Sequence, residues 1–134
     1  MTPSSLNDIY LRKLIAIEFW LNDQLVTPCC VIYIEADDER CWKLFYNDET
    51  MSWELEAAAF IPEAGSVEGD EEFRYSAINL GERLGITNQT VTGAEERDRG
   101  DFAEFSVHLD KGVTVTFSNH YRSDQQSVKI ASDT

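Results

Sequence analysis

Basic residues are scarce in this chain: 11 lysines and arginines stand against 25 aspartates and glutamates, a formal net charge of −14 at pH 7. That balance argues against nucleic acid as a direct ligand, because phosphate binding requires clustered lysine and arginine. Cysteine is scarce too, with three residues, of which Cys29 and Cys30 are adjacent. Neighbouring cysteines could close only a strained ring, and any other pairing strands one thiol, so no disulfide framework is predicted. Reduced thiols fit a cytoplasmic protein. Long apolar runs are missing: the longest, Leu14 to Leu21, is interrupted by Glu18 and is far too short to span a bilayer. The opening MTPSSLNDIYLRKL has neither the charged start nor the unbroken apolar stretch of a secretory leader. No membrane partner is therefore expected.

Catalytic motifs are equally wanting. No GxxxxGK[ST] or GxGxxG loop is present to cradle a phosphate, and Gly65-Ser66-Val67-Glu68-Gly69 places its serine one position too early for a nucleophile elbow. A metal centre would have to gather Cys29, Cys30, Cys41, His108 and His120 from distant segments, and adjacent cysteines do not easily ligate one zinc, so no metal or cofactor is expected. Glu35, Asp37 and Glu39 lack the glycine and ligand order of a calcium loop. Glu54 and Glu56, at alternate positions of one strand face, would lie about 7 Å apart, within reach of an inverting glycosidase pair. Short strands offer such a pair no cleft, and the reading is of a protein that is not an enzyme.

What the chain does have is a core. Its 134 residues suit one domain over 1–134, and 43% hydrophobic with 11% aromatic residues argue for a folded globule rather than an acidic tail. Residues 1–8 read as an irregular lead-in, while 61–72 and 87–101 read as acidic or polar loops. Leu6, Ile9, Tyr10, Leu14, Ile17 and Leu21 fit a helical stripe, but 14–21 is rich in strand formers and stops at Asn22-Asp23, which favours a strand over 13–21. Cys30–Glu35 and Arg40–Tyr46 flank a four-residue turn, giving a hairpin. A third strand over 51–56 competes with a helix through WELEAAAF capped by Ser52. Phe73–Ala77 suits a short strand and Ser76–Leu84 a short helix ended by Gly85. Phe105, Val107 and Leu109 alternate with polar residues, as do Val113, Val115 and Phe117 after Asp110-Lys111-Gly112, predicting a second hairpin; Gln126–Ala131 can add an edge strand. The fold class expected is α+β, mainly antiparallel β: one sheet of about five to seven strands with one or two short helices.

The charge is uneven. Residues 1–72 carry 16 acids and 4 bases, whereas 73–134 carry 9 and 7. Residues 35–56, EADDERCWKLFYNDETMSWELE, thread aromatic residues through eight carboxylates and two bases. Strand alternation puts Trp42, Leu44 and Tyr46 on one face with Met51, Trp53 and Leu55, and leaves Lys43, Phe45, Ser52, Glu54 and Glu56 on the other. The outer face then joins aromatic anchors, Tyr33 and Phe45, to carboxylates at Glu35, Asp37, Asp38, Glu39, Asp48, Glu54 and Glu56. Acidic surroundings speed the approach of a basic protein, and aromatic anchors slow its departure.

In size, acidity, lack of a leader and lack of catalytic motifs, the chain resembles small bacterial immunity proteins, including those paired with contact-dependent toxins. The likeness is one of composition rather than motif. It implies an inhibitory binding protein that neutralises a basic toxin such as a nuclease effector. Two other readings are nucleic-acid mimicry against a phage-defence enzyme, and a small enzyme or ligand-binding domain whose pocket carries no motif.

Overall fold

Two-residue alternation governs nearly the whole chain. The computed structural model describes residues 2–123 and 125–132; Met1, Asp124, Asp133 and Thr134 lie outside it. After a 3-10 turn at Pro3–Leu6 come β1 (Tyr10–Leu21), β2 (Gln24–Ala36), β3 (Cys41–Asn47), β4 (Ser52–Ala58), β5 (Val67–Gly69) and β6 (Phe73–Asn79). A one-turn helix, α1 (Leu80–Leu84), leads to β7 (Gln89–Asp98), β8 (Phe102–Leu109), β9 (Val113–His120) and β10 (Gln126–Ser132). The sheet order is β10-β9-β8-β7-β1-β2-β3-β4, with β6 also on β1 and β5 on β6.

The expected α+β class with five to seven strands is therefore incorrect: the described residues form a nearly all-β protein with ten strands in one antiparallel sheet and a single short α-helix. Three local causes account for the difference. Residues 87–101, read as a loop, hold β7, whose TVTGAEERD lacks apolar alternation because it runs past the edge of the core. Its inward Glu96 instead accepts a hydrogen bond from the Trp53 backbone N–H, at 2.9 Å. Residues 61–72, also read as a loop, hold β5, three exposed residues with no apolar signal. The helix over 76–84 shrinks to α1, because residues 76–79 pair with β1 as the end of β6. Asn79 caps α1 by accepting from the Glu82 N–H, and Gly85, at φ +67°, ends it.

β1 organises the molecule. Its first residues pair with β7 (Tyr10 opposite Thr90) and its remainder with β6 (Ile15 opposite Asn79) along the same edge. β6 and β7 thus act as one interrupted strand, with 80–88 looped out around α1. Beyond β1, strands β7–β10 fold back over β1–β4, so that β4 packs on β8 and β10 on β2. The faces that meet carry Leu14, Ile32, Ile34, Trp42, Leu44, Trp53 and Leu55 from one layer and Phe105, Val107, Leu109, Val115 and Phe117 from the other. Each such side chain contributes about 1.5–3 kcal/mol by leaving water. Trp53 Nε1 donates to the Ala103 carbonyl across the layers at 3.0 Å, which satisfies the one polar atom that indole buries. Cross-strand neighbours on β3 and β4 are Leu44–Leu55 and Tyr46–Trp53, the pairing read from the sequence; Met51 falls outside, in the preceding turn at φ +55°.

Candidate functional site

Antiparallel register arranges the outer face of the β1–β4 layer in rows, since residues opposite one another share a face. One row runs Ala77, Ile17, Val31, Phe45, Glu54 across β6, β1, β2, β3 and β4. The next runs Asn79, Ile15, Tyr33, Lys43, Glu56. A third, on the side toward the β1–β2 turn, runs Glu68, Tyr75, Phe19, Thr27. The face spans four inter-strand steps from β6 to β4, roughly 19 Å. It changes from aromatic and apolar at β6 and β1 to acidic at β4.

The sequence-predicted residues divide accordingly. Tyr33, Glu35, Phe45, Glu54 and Glu56 share this face. Glu54 is fixed by Asn47 Nδ2, which donates at 2.9 Å, and by Thr50 Oγ1 at 3.3 Å. Lys43 lies over the Phe45 ring, 5.2 Å from its centre, and faces Glu56 across the strands. Asp37, Asp38 and Glu39 sit exposed in the β2–β3 turn at one end of the face. There Asp38 accepts from the Arg40 backbone N–H at 3.2 Å and from its guanidinium at 2.7 Å. The backbone bond foremost, then the guanidinium, holds the Asp38 carboxyl below the usual carboxylate range. Asp48 is in the β3–β4 turn at the other end, beside Tyr46, Met51 and Tyr121. It does not join the aromatic part of the face.

Sequence reasoning missed the aromatic half. Phe19, Phe73 and Tyr75 form a ring cluster, with Phe19 5.0 Å from Tyr75 and 6.4 Å from Phe73. Phe60 is 75% exposed, Phe73 50% and Tyr75 47%, so this half of the face leaves large apolar side chains open to water. The alternation of Phe73 and Tyr75 was visible, but not that β6 lies against β1. Residues 59–66 cross this face as a strap, tied down by Gly65 N–H to Ala77 O (2.8 Å) and Ala77 N–H to Ser66 O (2.9 Å). Between strap and sheet opens a cavity of about 380 Å³, whose lining includes Tyr33, Phe60, Glu68, Tyr75 and Cys30. Burial pushes the Tyr33 hydroxyl pKa up, with Cys30 and Glu68 adding to it.

The cysteines are free thiols. Burial pushes Cys29 up to about 12 and raises Cys30 and Cys41, which favours the protonated thiol in all three. Cys30 Sγ donates to the Ile17 carbonyl at 3.2 Å. His108, read as solvated on the outer face of the last hairpin, is half-buried and bonds Thr114 Oγ1 (2.8 Å) and Glu95 (3.3 Å). Among the described residues no group of three or more histidines, cysteines or carboxylates is placed to hold a metal ion, and no helix is long and apolar enough to cross a membrane. Neither Glu54 nor Glu56 lines the cavity beneath the strap. No protein-family model, curated protein or solved structure matches this chain.

Proposed function

We propose that this chain is an inhibitory binding protein that captures a basic protein on the outer face of β1–β4, in the manner of an immunity protein neutralising a toxin such as a nuclease. The observation that supports the reading is the pair of rows ending at Phe45–Glu54 and Lys43–Glu56. They set half-buried aromatic rings beside carboxylates on a rigid sheet, with one lysine among them. A net charge of −14 draws a basic partner in from a distance, and the aromatic half of the face then excludes water. The protein performs no reaction in this account. It acts in the cytoplasm, where its three thiols stay reduced.

The test is capture from the lysate of the native host at about 0.05 M and 0.5 M salt, spanning Debye lengths of roughly 14 to 4 Å. Wild type is compared with Phe45→Ala and with Glu56→Lys, each checked for an unchanged circular dichroism spectrum. The expected outcome is a basic protein that wild type retains at high salt and that both variants lose or hold more weakly. A partner bound equally by all three chains, or none at all, overturns it.

A further inference from the structure

The cavity under the strap has a chemistry of its own. Three aromatic rings, Tyr33, Phe60 and Tyr75, contribute to its wall, with apolar backing from Ile17, Val31 and Ala77. Glu68 stands on that wall directly across the strands from Tyr75. Among the described residues Glu68 makes no ion pair, whereas Asp38, Glu95 and Glu104 are each met by an arginine. Arg74, next to Tyr75 in sequence, turns to the opposite face, where it lies 4.8 Å from the Trp20 ring and 2.7 Å from Asp23. A volume of about 380 Å³ falls within the range of ligand pockets.

Aromatic faces are electron-rich, and a carboxylate left without a cation beside them completes a site for positive charge. We propose that this cavity receives a cationic side chain, arginine foremost, from the basic partner. The planar guanidinium stacks on tyrosine and phenylalanine rings while donating to Glu68, which lysine's compact ammonium does less well. The inference rests on the capture reading above and gives the partner's anchor a chemical identity. It also gives the strap a role, since residues 59–66 bring Phe60, Pro62 and Ser66 into the cavity's lining. A neutral ligand of equal size would gain the apolar contact but leave Glu68 without a counter-charge.

The experiment needs no partner. N-acetyl-arginine amide is titrated into the full chain and followed by amide chemical shifts. N-acetyl-citrulline amide, of the same shape without the charge, is the control. The expected result is millimolar binding of the arginine probe, with shifts at Tyr33, Ser66, Glu68, Tyr75 and Ala77. Its affinity should be at least roughly tenfold above that of citrulline, about 1.4 kcal/mol. Glu68→Gln, a change at an exposed position, should abolish most of that preference. Tyr75→Phe should keep the preference and Tyr75→Leu reduce it. Equal binding of both probes, shifts confined to other parts of the surface, or no binding overturns the cation site and leaves the capture result untouched. A Glu68→Gln chain that loses the arginine probe but captures the partner with undiminished affinity overturns the assignment of that cation to the partner.

Discussion

Replacing Gly69 with alanine should damage the β5–β6 hairpin out of proportion to one methyl group. Gly69 holds φ at +110°, a region that residues with a Cβ rarely adopt. A Cβ there would sit 2.1 Å from the Phe73 carbonyl oxygen and 2.9 Å from the Arg74 Cα, both backbone atoms. Relief requires the turn to move by roughly 1 Å, given an ordinary contact of at least about 3 Å. That movement strains the Asp70 N–H bond to Phe73 O (2.8 Å) and the two backbone N–H groups, of Glu72 and Phe73, that Asp70 Oδ1 accepts at 2.9 Å. The φ term costs about 1–2 kcal/mol and each lost turn bond about 1 kcal/mol. Because the hairpin can open locally instead, about 2–3 kcal/mol is expected in urea unfolding. Exchange of the Ala77 amide, which bonds Ser66 of the strap, should quicken. A loss below about 0.5 kcal/mol with unchanged exchange would refute the reasoning, since it would mean the turn tolerates a side chain that the geometry forbids.

Other perturbations test separate parts of the fold. Trp53→Phe removes the indole bond to Ala103 and part of the packing between layers, so urea unfolding should show a loss of about 2–3 kcal/mol. Asp70 is held below its ordinary pKa first by the Phe73 N–H and then by that of Glu72, so its contribution is present above the unfolded carboxylate pKa near 4. It is lost as pH falls through the lower folded value; melting scans should therefore show a shallower acid-side decline in Asp70→Asn than in wild type. Cys29, raised to about 12 by burial, should resist thiol reagents at pH 8 until the chain is unfolded, as counted by thiol titration. Raising salt from about 0.02 to 0.5 M at neutral pH should raise the melting temperature, because screening relieves the self-repulsion of a chain at −14.

The sequence was legible where one face of a strand meets the core and the other meets water. Trp42, Leu44 and Tyr46 alternate with Cys41, Lys43 and Phe45, and the structure pairs them with β4 in the register that alternation implies. The β8–β9 hairpin was legible for the same reason, Leu109 facing Val113 across its turn. Strands without that contrast were not. β7 leaves the core at Glu96 and β5 never enters it, so their residues look like loop. The first part of β2, before Pro28-Cys29-Cys30, is exposed and irregular against β1, and it too carried no pattern. A strand over Phe73–Ala77 was expected, but not its pairing with β1, and without that pairing half of the candidate face was out of view. Tyr33 and Phe45 could be assigned outward from their own strands, but their neighbours Phe19, Tyr75 and Glu68 depended on a long-range pairing that no local pattern encodes.

The proposed capture by the outer face begins with long-range electrostatic attraction. The most direct measurement is the association rate constant of the captured partner with wild type and with Glu56→Lys, across a range of salt. Glu56→Lys sets a like charge opposite Lys43, a cross-strand cost of a few tenths of a kcal/mol that leaves the fold intact. The prediction is a wild-type rate that falls steeply with salt, a severalfold slower rate in the variant at low salt, and similar dissociation rates for both. Association rates insensitive to salt and to the charge at residue 56 would contradict it.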